Sequence, residues 1–401
     1  MSGILDGIRV LDLSRNVAGP FASKLFADYG AAVLKVEPPE GDPSRLAGPF
    51  PGDEPDPEAS GLFLHLNTNK RAVTLDISRS AGQSIVRRLA GDVDIVIEDF
   101  APGQLDEWGI GWETLSEGRT DLVMASITPF GQSGPWRDYR GSEITLQAMG
   151  GPMHLNGHAE KEPIKLAGNV AHYHAGASAA LAVMLARFRV EMGGEGDHVD
   201  LAVYETQNGF RDRRTVYMTG AAYTGVSARR RVPGQQMATG VRPCLDGYVN
   251  ILGGAKHFEK LLDIIDRPDL KGHPQIAVAP VERDPAFVEE VESSYLGWLM
   301  RTPKSQVIAT VQEAGILSGA IYTIEDLLKD PHYAQRGFWD EIDHPATGPL
   351  TYPGRQLIFS ETPRERPRRA PLLGEHNSEV YTDQLGMSEG ELASMREQGV
   401  I

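Results

Sequence analysis

The chain has 401 residues, of which 41% are hydrophobic, and it carries a formal net charge of −16. This length and composition suffice for two domains with cores of their own and indicate a globular protein. The acidic balance argues against a non-specific nucleic-acid or anionic-membrane surface, so an anionic ligand requires a local cluster of cations.

The first half of the chain alternates strands with helices. Strand–helix–strand units about 20 residues long indicate parallel crossovers, so we predict a doubly wound α/β sheet with ligand sites outside the carboxyl ends of its strands. The predicted strands are 8–13, 31–36, 72–75, 93–97, 122–127 and 198–203, with helices at 21–29 and 80–89. Gly/Pro turns that let a ligand approach the backbone follow at 16–20, 37–42, 98–103 and 128–135.

The next stretch, 176–186, is rich in Ala and Leu and predicts a buried helix that begins at Gly176. The turn before it contains His172 and His174 but no carboxylate. Unpaired N–H groups and the helix dipole stabilise anions at a helix N-terminus, so this turn is a candidate reactive site.

The composition shifts at Arg211. Two arginine clusters, Arg211–Arg214 and Arg229–Arg231, flank a stretch of small residues without clear periodicity, which predicts a long connection between domains. A strand at 247–252, amphipathic helices at 287–300 and 304–314, and a last helix from Ser388 follow.

The number of cysteines and the distribution of apolar residues indicate the cellular compartment of the protein. The single Cys244 excludes an intramolecular disulfide and a metal site of several cysteines, which fits a reducing compartment. No export signal is visible, and no run of about 18 apolar residues predicts a membrane span. We expect a cytoplasmic protein, and we expect no metal because His-x-His in a turn is weak support for one.

Recognisable motifs run along the chain from Leu5 to Val380: LDGIRVLDLSRNVAGPFASKLFADYGAAVLKVEPPEGDPSR, NTNKRAVTLD, DIVIEDFAPG, SITPFGQSGPWRDY, DGYVNI, TIEDLLKDPHYAQRGFW and LGEHNSEV. In sequence and in order they resemble the motifs of family III CoA-transferases, the group of carnitine CoA-transferase, formyl-CoA transferase and α-methylacyl-CoA racemase.

The resemblance implies a fold and an assembly. A Rossmann-like, CoA-binding large domain over 1–210 is completed by a return segment over 326–401, and a linker over 211–245 leads to a small domain over 246–325. Two subunits of the family are threaded through each other as an interlocked dimer. CoA and acyl-CoA are substrates, with no permanently bound cofactor, and carboxylic acids are the other substrates.

The resemblance also implies which residues bind CoA. Lys70, Arg71 and Arg137 supply charge for its phosphates, and Phe100 offers a ring for its adenine. The alternative for these cations is a set of solvated surface pairs. Val17 replaces the family's glutamine near the substrate carbonyl, and Pro38 replaces an arginine of some members. The full set of predicted CoA-binding residues is Val17, Lys70, Arg71, Asp99, Phe100 and Arg137.

The family's nucleophile is missing. Family III transferases attack the thioester with an aspartate four residues before the helix-initiating glycine, and counting back from Gly176 gives His172. An imidazole cannot form the enzyme–CoA thioester through which CoA passes to a new acid. We favour a nucleophile-lacking subunit that works with an Asp-bearing homologue. Two alternatives remain: a lyase, dehydratase or isomerase that uses His172 as general acid/base, and a non-catalytic acyl-CoA-binding protein.

Racemase activity fits the sequence poorly. Where racemases have histidine followed by aspartate, this chain has Ser142 and Glu143, so the expected base is a serine. Glu143 keeps a carboxylate and is, with His172, a candidate catalytic residue.

Overall fold

The computed structural model describes residues 3–209, 219–227, 230, 237–362 and 365–401. Its contacts divide the described residues into two units: the larger draws on Met1–Gly157, Pro163–Arg229 and Gly337–Ile401, the smaller on His158–Glu162 and Arg230–Arg336. Much of the predicted linker 211–245, with Arg211–Arg214, Arg229 and Arg231, lies outside the described residues. The predicted domain boundaries remain predictions.

A six-stranded parallel sheet forms the centre of the larger unit, in the order β3-β2-β1-β4-β5-β6. Its strands are β1 (Arg9–Asp12), β2 (Ala32–Glu37), β3 (Arg71–Thr74), β4 (Ile95–Glu98), β5 (Val123–Thr128) and β6 (His198–Ala202). Both faces of the sheet are covered, so its strands read as near-continuous apolar runs rather than as alternating ones. The predicted doubly wound α/β fold is confirmed.

Helices connect these strands. They are α1 (Ala18–Asp28), α2 (Gly61–Leu66), α3 (Ser80–Ala90), α4 (Gln104–Glu107), α5 (Trp112–Leu115), α6 (Glu143–Met149), α7 (Val170–Glu191) and α8 (Val203–Gly209). Helix α7 packs closely on α1, because a Cβ added at Gly176 would lie 2.4 Å from the carbonyl oxygen of Ala18. Gly176 is therefore required for helix contact and not for a helix start.

The smaller unit has a three-stranded antiparallel sheet, β7 (Gly240–Cys244), β8 (Gly247–Ile251) and β9 (Ser318–Ile321), in that order. Its helices are α9 (Gly254–Ile264), α10 (Pro285–Leu299), α11 (Lys304–Glu313), α12 (Ile324–Lys329) and α13 (Pro331–Gln335). Short 3₁₀ turns occur in both units at Pro43–Leu46, Pro51–Asp53, Pro152–Leu155, Pro268–Leu270, Pro274–Ile276 and Pro280–Glu282.

The C-terminal segment belongs to the larger unit. It contains the hairpin β10 (Trp339–His344) and β11 (Gly348–Pro353), a π-helical turn at Glu379–Gln384, and α14 (Glu389–Glu397). Ser388 caps α14, since its hydroxyl accepts from the N–H of Glu391. The predicted last helix thus begins where the capping box indicates.

Two hydrophobic cores lie on the two faces of the parallel sheet. Successive strand residues point to opposite faces, so Leu11 joins the core that contains Val380, whereas Val10 joins the core that contains Phe26 of α1 and Ala179 of α7. Because both faces are buried, the exposed edge at the carboxyl ends of the strands is the place for a site.

Candidate active site

The strand order reverses between β1 and β4, so a crevice opens where these two strands end. The strands stay paired to this point, where the N–H of Leu13 donates to the carbonyl of Ile97 at 2.8 Å. Beyond it, the N–H of Arg15 donates to Asp99 Oδ2 at 2.9 Å and joins the two diverging loops.

A pocket of about 140 Å³ lies at this edge, and its walls include Arg15, Leu75, Ile77, Phe100 and Trp108. The guanidinium carbon of Arg15 lies 4.2 Å from the centroid of the Phe100 ring. Trp108 meets the same ring edge-on at 5.4 Å. An aromatic ring beside a guanidinium suits a ligand that joins a planar base to a phosphate.

Two carboxyl groups lie at the end of β4: Glu98 is buried and Asp99 is partly buried. Burial raises the pKa of Glu98 to about 8, although Ser126 and the N–H of Phe100, which donates to Glu98 Oε2 at 2.6 Å, oppose this shift. Burial raises the pKa of Asp99 to about 7, against the attraction of Arg15. Glu98 is therefore mostly neutral at pH 7, and this end of the sheet carries less negative charge than its sequence indicates.

We expect Glu98 to make folding pH-dependent. The pKa of Glu98 is higher in the folded state than in the unfolded state. Its contribution to the free energy of unfolding is therefore fully present below about pH 4 and is lost as the pH rises towards 8. Glu98→Gln keeps an acceptor for Phe100 but does not titrate. In urea titrations, the stability of the variant relative to the wild type should rise from pH 5 to pH 8 by roughly 1 kcal/mol per pH unit. A constant difference across this range would contradict the assignment.

Arg137 contacts the loop that follows β4. Its Nη2 donates to the carbonyl of Pro102 at 3.1 Å, and a Cβ added at Gly103 would lie 2.8 Å from that nitrogen. Val17 is buried at the N-cap of α1, close to the end of β1. The structure thus places Asp99, Phe100, Arg137 and Val17 in loops that follow the carboxyl ends of β1, β4 and β5.

Lys70 and Arg71 are placed differently from the expectation that they bind CoA phosphates. The Lys70 ammonium is buried and donates to Asp12 Oδ2 at 3.0 Å, to the carbonyl of Pro20 at 2.8 Å and to Asn67 Oδ1 at 2.9 Å. Its three hydrogens each have a protein acceptor, so direct phosphate binding does not fit. Arg71 is the first residue of β3 and forms a 2.6 Å ion pair with Glu379.

The helix that carries His172 begins earlier than predicted. Helix α7 starts at Val170 and not at Gly176, so His172 and His174 lie in its first turns rather than in a turn before it. The cap comes from another helix: Glu143 of α6 accepts from the N–H groups of Ala171 at 2.8 Å and of His172 at 3.3 Å. The carboxylate that the local sequence lacks is thus supplied from elsewhere in the chain.

His172 and Glu143, the two candidate catalytic residues, are in direct contact. His172 Nδ1 lies 2.6 Å from Glu143 Oε2, and Gln147 Nε2 donates to Glu143 Oε1 at 2.6 Å. Burial raises the pKa of Glu143, but the hydrogen bonds from His172, Ala171 and Gln147 outweigh it and lower that pKa to about 2. Glu143 is therefore ionised, and His172 Nδ1 carries the hydrogen because an ionised carboxylate only accepts.

Two site residues escaped the sequence analysis. Arg15 directly precedes the turn identified after the first strand, and its charge at a strand end was the available signal. Gln147 is fully buried in α6, and its position four residues after Glu143 was the only sign that the two side chains share a helix face.

The described part of the chain contains neither a candidate membrane span nor a candidate metal cluster. None of its helices combines the length and apolar character needed to cross a membrane. Within the same residues, no three His, Cys, Asp or Glu side chains converge in a way that would hold a metal ion.

Comparisons with known proteins agree along the whole chain. The sequence model of CoA-transferase family III matches residues 5–377. Succinyl-CoA–D-citramalate CoA-transferase of Chloroflexus aurantiacus is 32% identical, with 99% of this chain and 98% of that protein covered. Succinyl-CoA:(R)-benzylsuccinate CoA-transferase subunit BbsE of Thauera aromatica is 30% identical, with coverages of 94% and 93%. A crystal structure of a CAIB/BAIF family protein from Brucella suis has a TM-score of 0.82 and 28% identity, with coverages of 96% and 100%.

Proposed function

The chain belongs to CoA-transferase family III, and we propose that it acts in CoA exchange between carboxylic acids as a subunit that lacks the carboxylate nucleophile. The observation that carries this proposal is His172 at the start of α7, in the position that the family resemblance gives to aspartate. The cycle of acyl-enzyme and enzyme–CoA thioester needs a carboxylate that attacks and later leaves, and imidazole does not serve both half-reactions.

Glu143 is a poor substitute for that nucleophile. Its Oε1 accepts from the backbone N–H of Ala171 and from Gln147 Nε2, and its Oε2 accepts from the backbone N–H and the Nδ1–H of His172. Four donors occupy the lone pairs of this carboxylate, and its low pKa of about 2 reflects an anion already stabilised in the ground state. An attack on a thioester would require it to give up these bonds.

In this proposal, CoA lies at the carboxyl edge of the sheet. The pocket beside Phe100 takes the adenine, and Arg15 and Arg137 supply charge for phosphates in an otherwise acidic chain. Asp99 and Val17 complete the loops around the ligand. CoA and its thioesters are substrates and not permanently bound cofactors. The protein acts in the cytoplasm.

The partner in this proposal is an Asp-bearing homologue in an interlocked assembly. BbsE, one of the relatives, is named as a subunit of its CoA-transferase, which supports an enzyme of more than one chain. Helix α7 and its C-cap residue also present an exposed apolar stripe, spaced so that all four residues share one face: Leu181, Leu185, Phe188 and the C-cap Met192. Such a stripe favours association with another chain.

We expect no CoA transfer from this chain alone and transfer once it is combined with its partner. The test expresses the chain by itself and together with an Asp-bearing homologue encoded beside it, and follows CoA exchange between succinyl-CoA and candidate acids. Calorimetry with CoA serves as the control for binding. Transfer by the isolated chain, with covalent modification within residues 169–176, would refute the subunit proposal.

A second candidate function is non-covalent acid/base chemistry on an acyl-CoA, as in a lyase, dehydratase or isomerase. The 2.6 Å contact between Glu143 and His172 favours it, because this arrangement prepares an imidazole for proton transfer. A new acyl-CoA product formed without an acceptor acid, and lost in His172→Ala, would identify this function. If the chain binds CoA but catalyses no reaction, either alone or with the homologue, it is a non-catalytic acyl-CoA-binding protein.

A further inference from the structure

The Glu143–His172 pair leaves one ring nitrogen unused. Nδ1 contacts Glu143 at 2.6 Å, whereas Nε2 forms no hydrogen bond with any described residue, and the His172 side chain is 26% exposed. We propose that this pair gives the chain a second activity, the hydrolysis of acyl-CoA thioesters by water. The inference rests on the proposed binding of CoA thioesters and goes beyond transfer, because the acceptor is water instead of a carboxylic acid.

Glu143 acts as a positioning residue in this activity. Hydrogen bonds from the N–H of Ala171 and from Gln147 fix its Oε1, and Gln147 in turn accepts from the N–H of Leu166 at 2.8 Å. The ionised carboxylate keeps the hydrogen on Nδ1 and so leaves the lone pair of the neutral ring on Nε2. It also stabilises the imidazolium that forms when Nε2 takes a proton.

The reaction balances without any further reagent. Nε2 takes a proton from water while the water oxygen bonds to the thioester carbonyl carbon. The tetrahedral adduct then collapses, the carbon–sulfur bond breaks, and the imidazolium returns the proton to the departing thiolate. The products are the free carboxylic acid and CoA, and His172 is regenerated.

His172 is suitably placed for a ligand at the carboxyl edge of the sheet. Helix α1 begins at Ala18, directly after the loop that follows β1, and its first turn touches α7 at Gly176, one turn beyond His172. Phe21 of α1 packs edge-on against Tyr173, with ring centroids 4.7 Å apart. These contacts join the start of α7 to α1, the helix that follows the β1 loop, and that loop carries Arg15 of the pocket.

The test measures CoA thiol release from succinyl-CoA or acetyl-CoA with a chromogenic thiol reagent, using the full chain and no acceptor acid. We expect release above the uncatalysed rate, and a loss of about 100-fold in His172→Ala. Glu143→Gln should lower kcat by about 10-fold or more with KM unchanged, because the substituted residue orients the base and does not bind substrate. His174→Ala, a histidine of the same helix outside the pair, should retain the wild-type rate.

Calorimetry with CoA separates the two proposals. If CoA does not bind, the proposed function fails, and hydrolysis fails with it. If CoA binds but thiol release matches the blank, or persists unchanged in His172→Ala, hydrolysis is overturned and the proposed function stands. A fall in kcat that only accompanies a lower melting temperature in Glu143→Gln would assign Glu143 a structural role and overturn its positioning role.

Discussion

A double variant, His172→Asp with Glu143→Gln, is expected to transfer CoA without a partner. It restores a carboxylate where the resemblance places the family's nucleophile. The N–H groups of Ala171 and residue 172, which now donate to Glu143, would stabilise the new carboxylate at the start of α7. We expect the rate of exchange between succinyl-CoA and an acceptor acid to rise about 1,000-fold above the background measured with the wild-type chain, which corresponds to roughly 4 kcal/mol.

The second substitution is needed because of the distance between the two side chains. His172 lies 2.6 Å from Glu143, so an aspartate at residue 172 would face another carboxylate at close range. Two carboxylates that share a site cannot both ionise readily, and the pKa of one of them rises strongly. The single variant His172→Asp should therefore be much less active than the double variant. Glutamine removes the charge of Glu143 and keeps its length.

Mass spectrometry after hydroxylamine treatment would locate the covalent intermediate at residue 172. The matched control is His172→Asn with Glu143→Gln, which has the same shape without a carboxylate and should remain inactive. If the double variant binds CoA but transfers none, a missing carboxylate is not the whole defect. Val17, where the resemblance places a glutamine in the family, would then be the next residue to change.

The sheet was predictable because its signals are local. Each strand is a short apolar run ended by a turn, and the crossover distances allow only parallel pairing. The start of α7 was predicted wrongly because its cap is not local. The carboxylate of Glu143 lies 29 residues before His172 in sequence, and no pattern near Val170 indicates it.

The charged residues show the same limit. A lysine in a motif that resembles the family's suggests a ligand contact, but its environment decides whether its charge is available to a ligand. Lys70 faces Asp12 across the fold, 58 residues away, and that partner is invisible in the motif itself. Arg15 and Asp99, 84 residues apart, meet only because β1 and β4 are neighbours in the sheet. Pairing of strands, and not residue type, assembles this site.

Lys70→Met is therefore expected to reduce stability rather than CoA affinity. Both Lys70 and Asp12 have fully buried side chains, and their ion pair measures 3.0 Å. Removal of Lys70 takes away the cation that contacts the buried Asp12 carboxylate and leaves Lys35 as its remaining cationic neighbour. Breaking a buried pair in this way costs about 3–5 kcal/mol. The matched control is Arg71→Met, whose ion pair with Glu379 is partly exposed and should cost no more than about 1 kcal/mol.

The pH dependence identifies Asp12 as the cause of that loss. Burial raises the pKa of Asp12, but Lys70, Lys35 and the hydroxyls of Ser14 and Ser23 together lower it to about 2. A carboxylate with a lowered pKa contributes stability above about pH 4 and loses it as the pH falls towards 2. In urea titrations, the difference in free energy of unfolding between the wild type and Lys70→Met should therefore become smaller below pH 4. If Lys70→Met instead keeps its stability and loses CoA affinity in calorimetry, Lys70 binds the ligand after all, and its ammonium must leave Asp12 to do so.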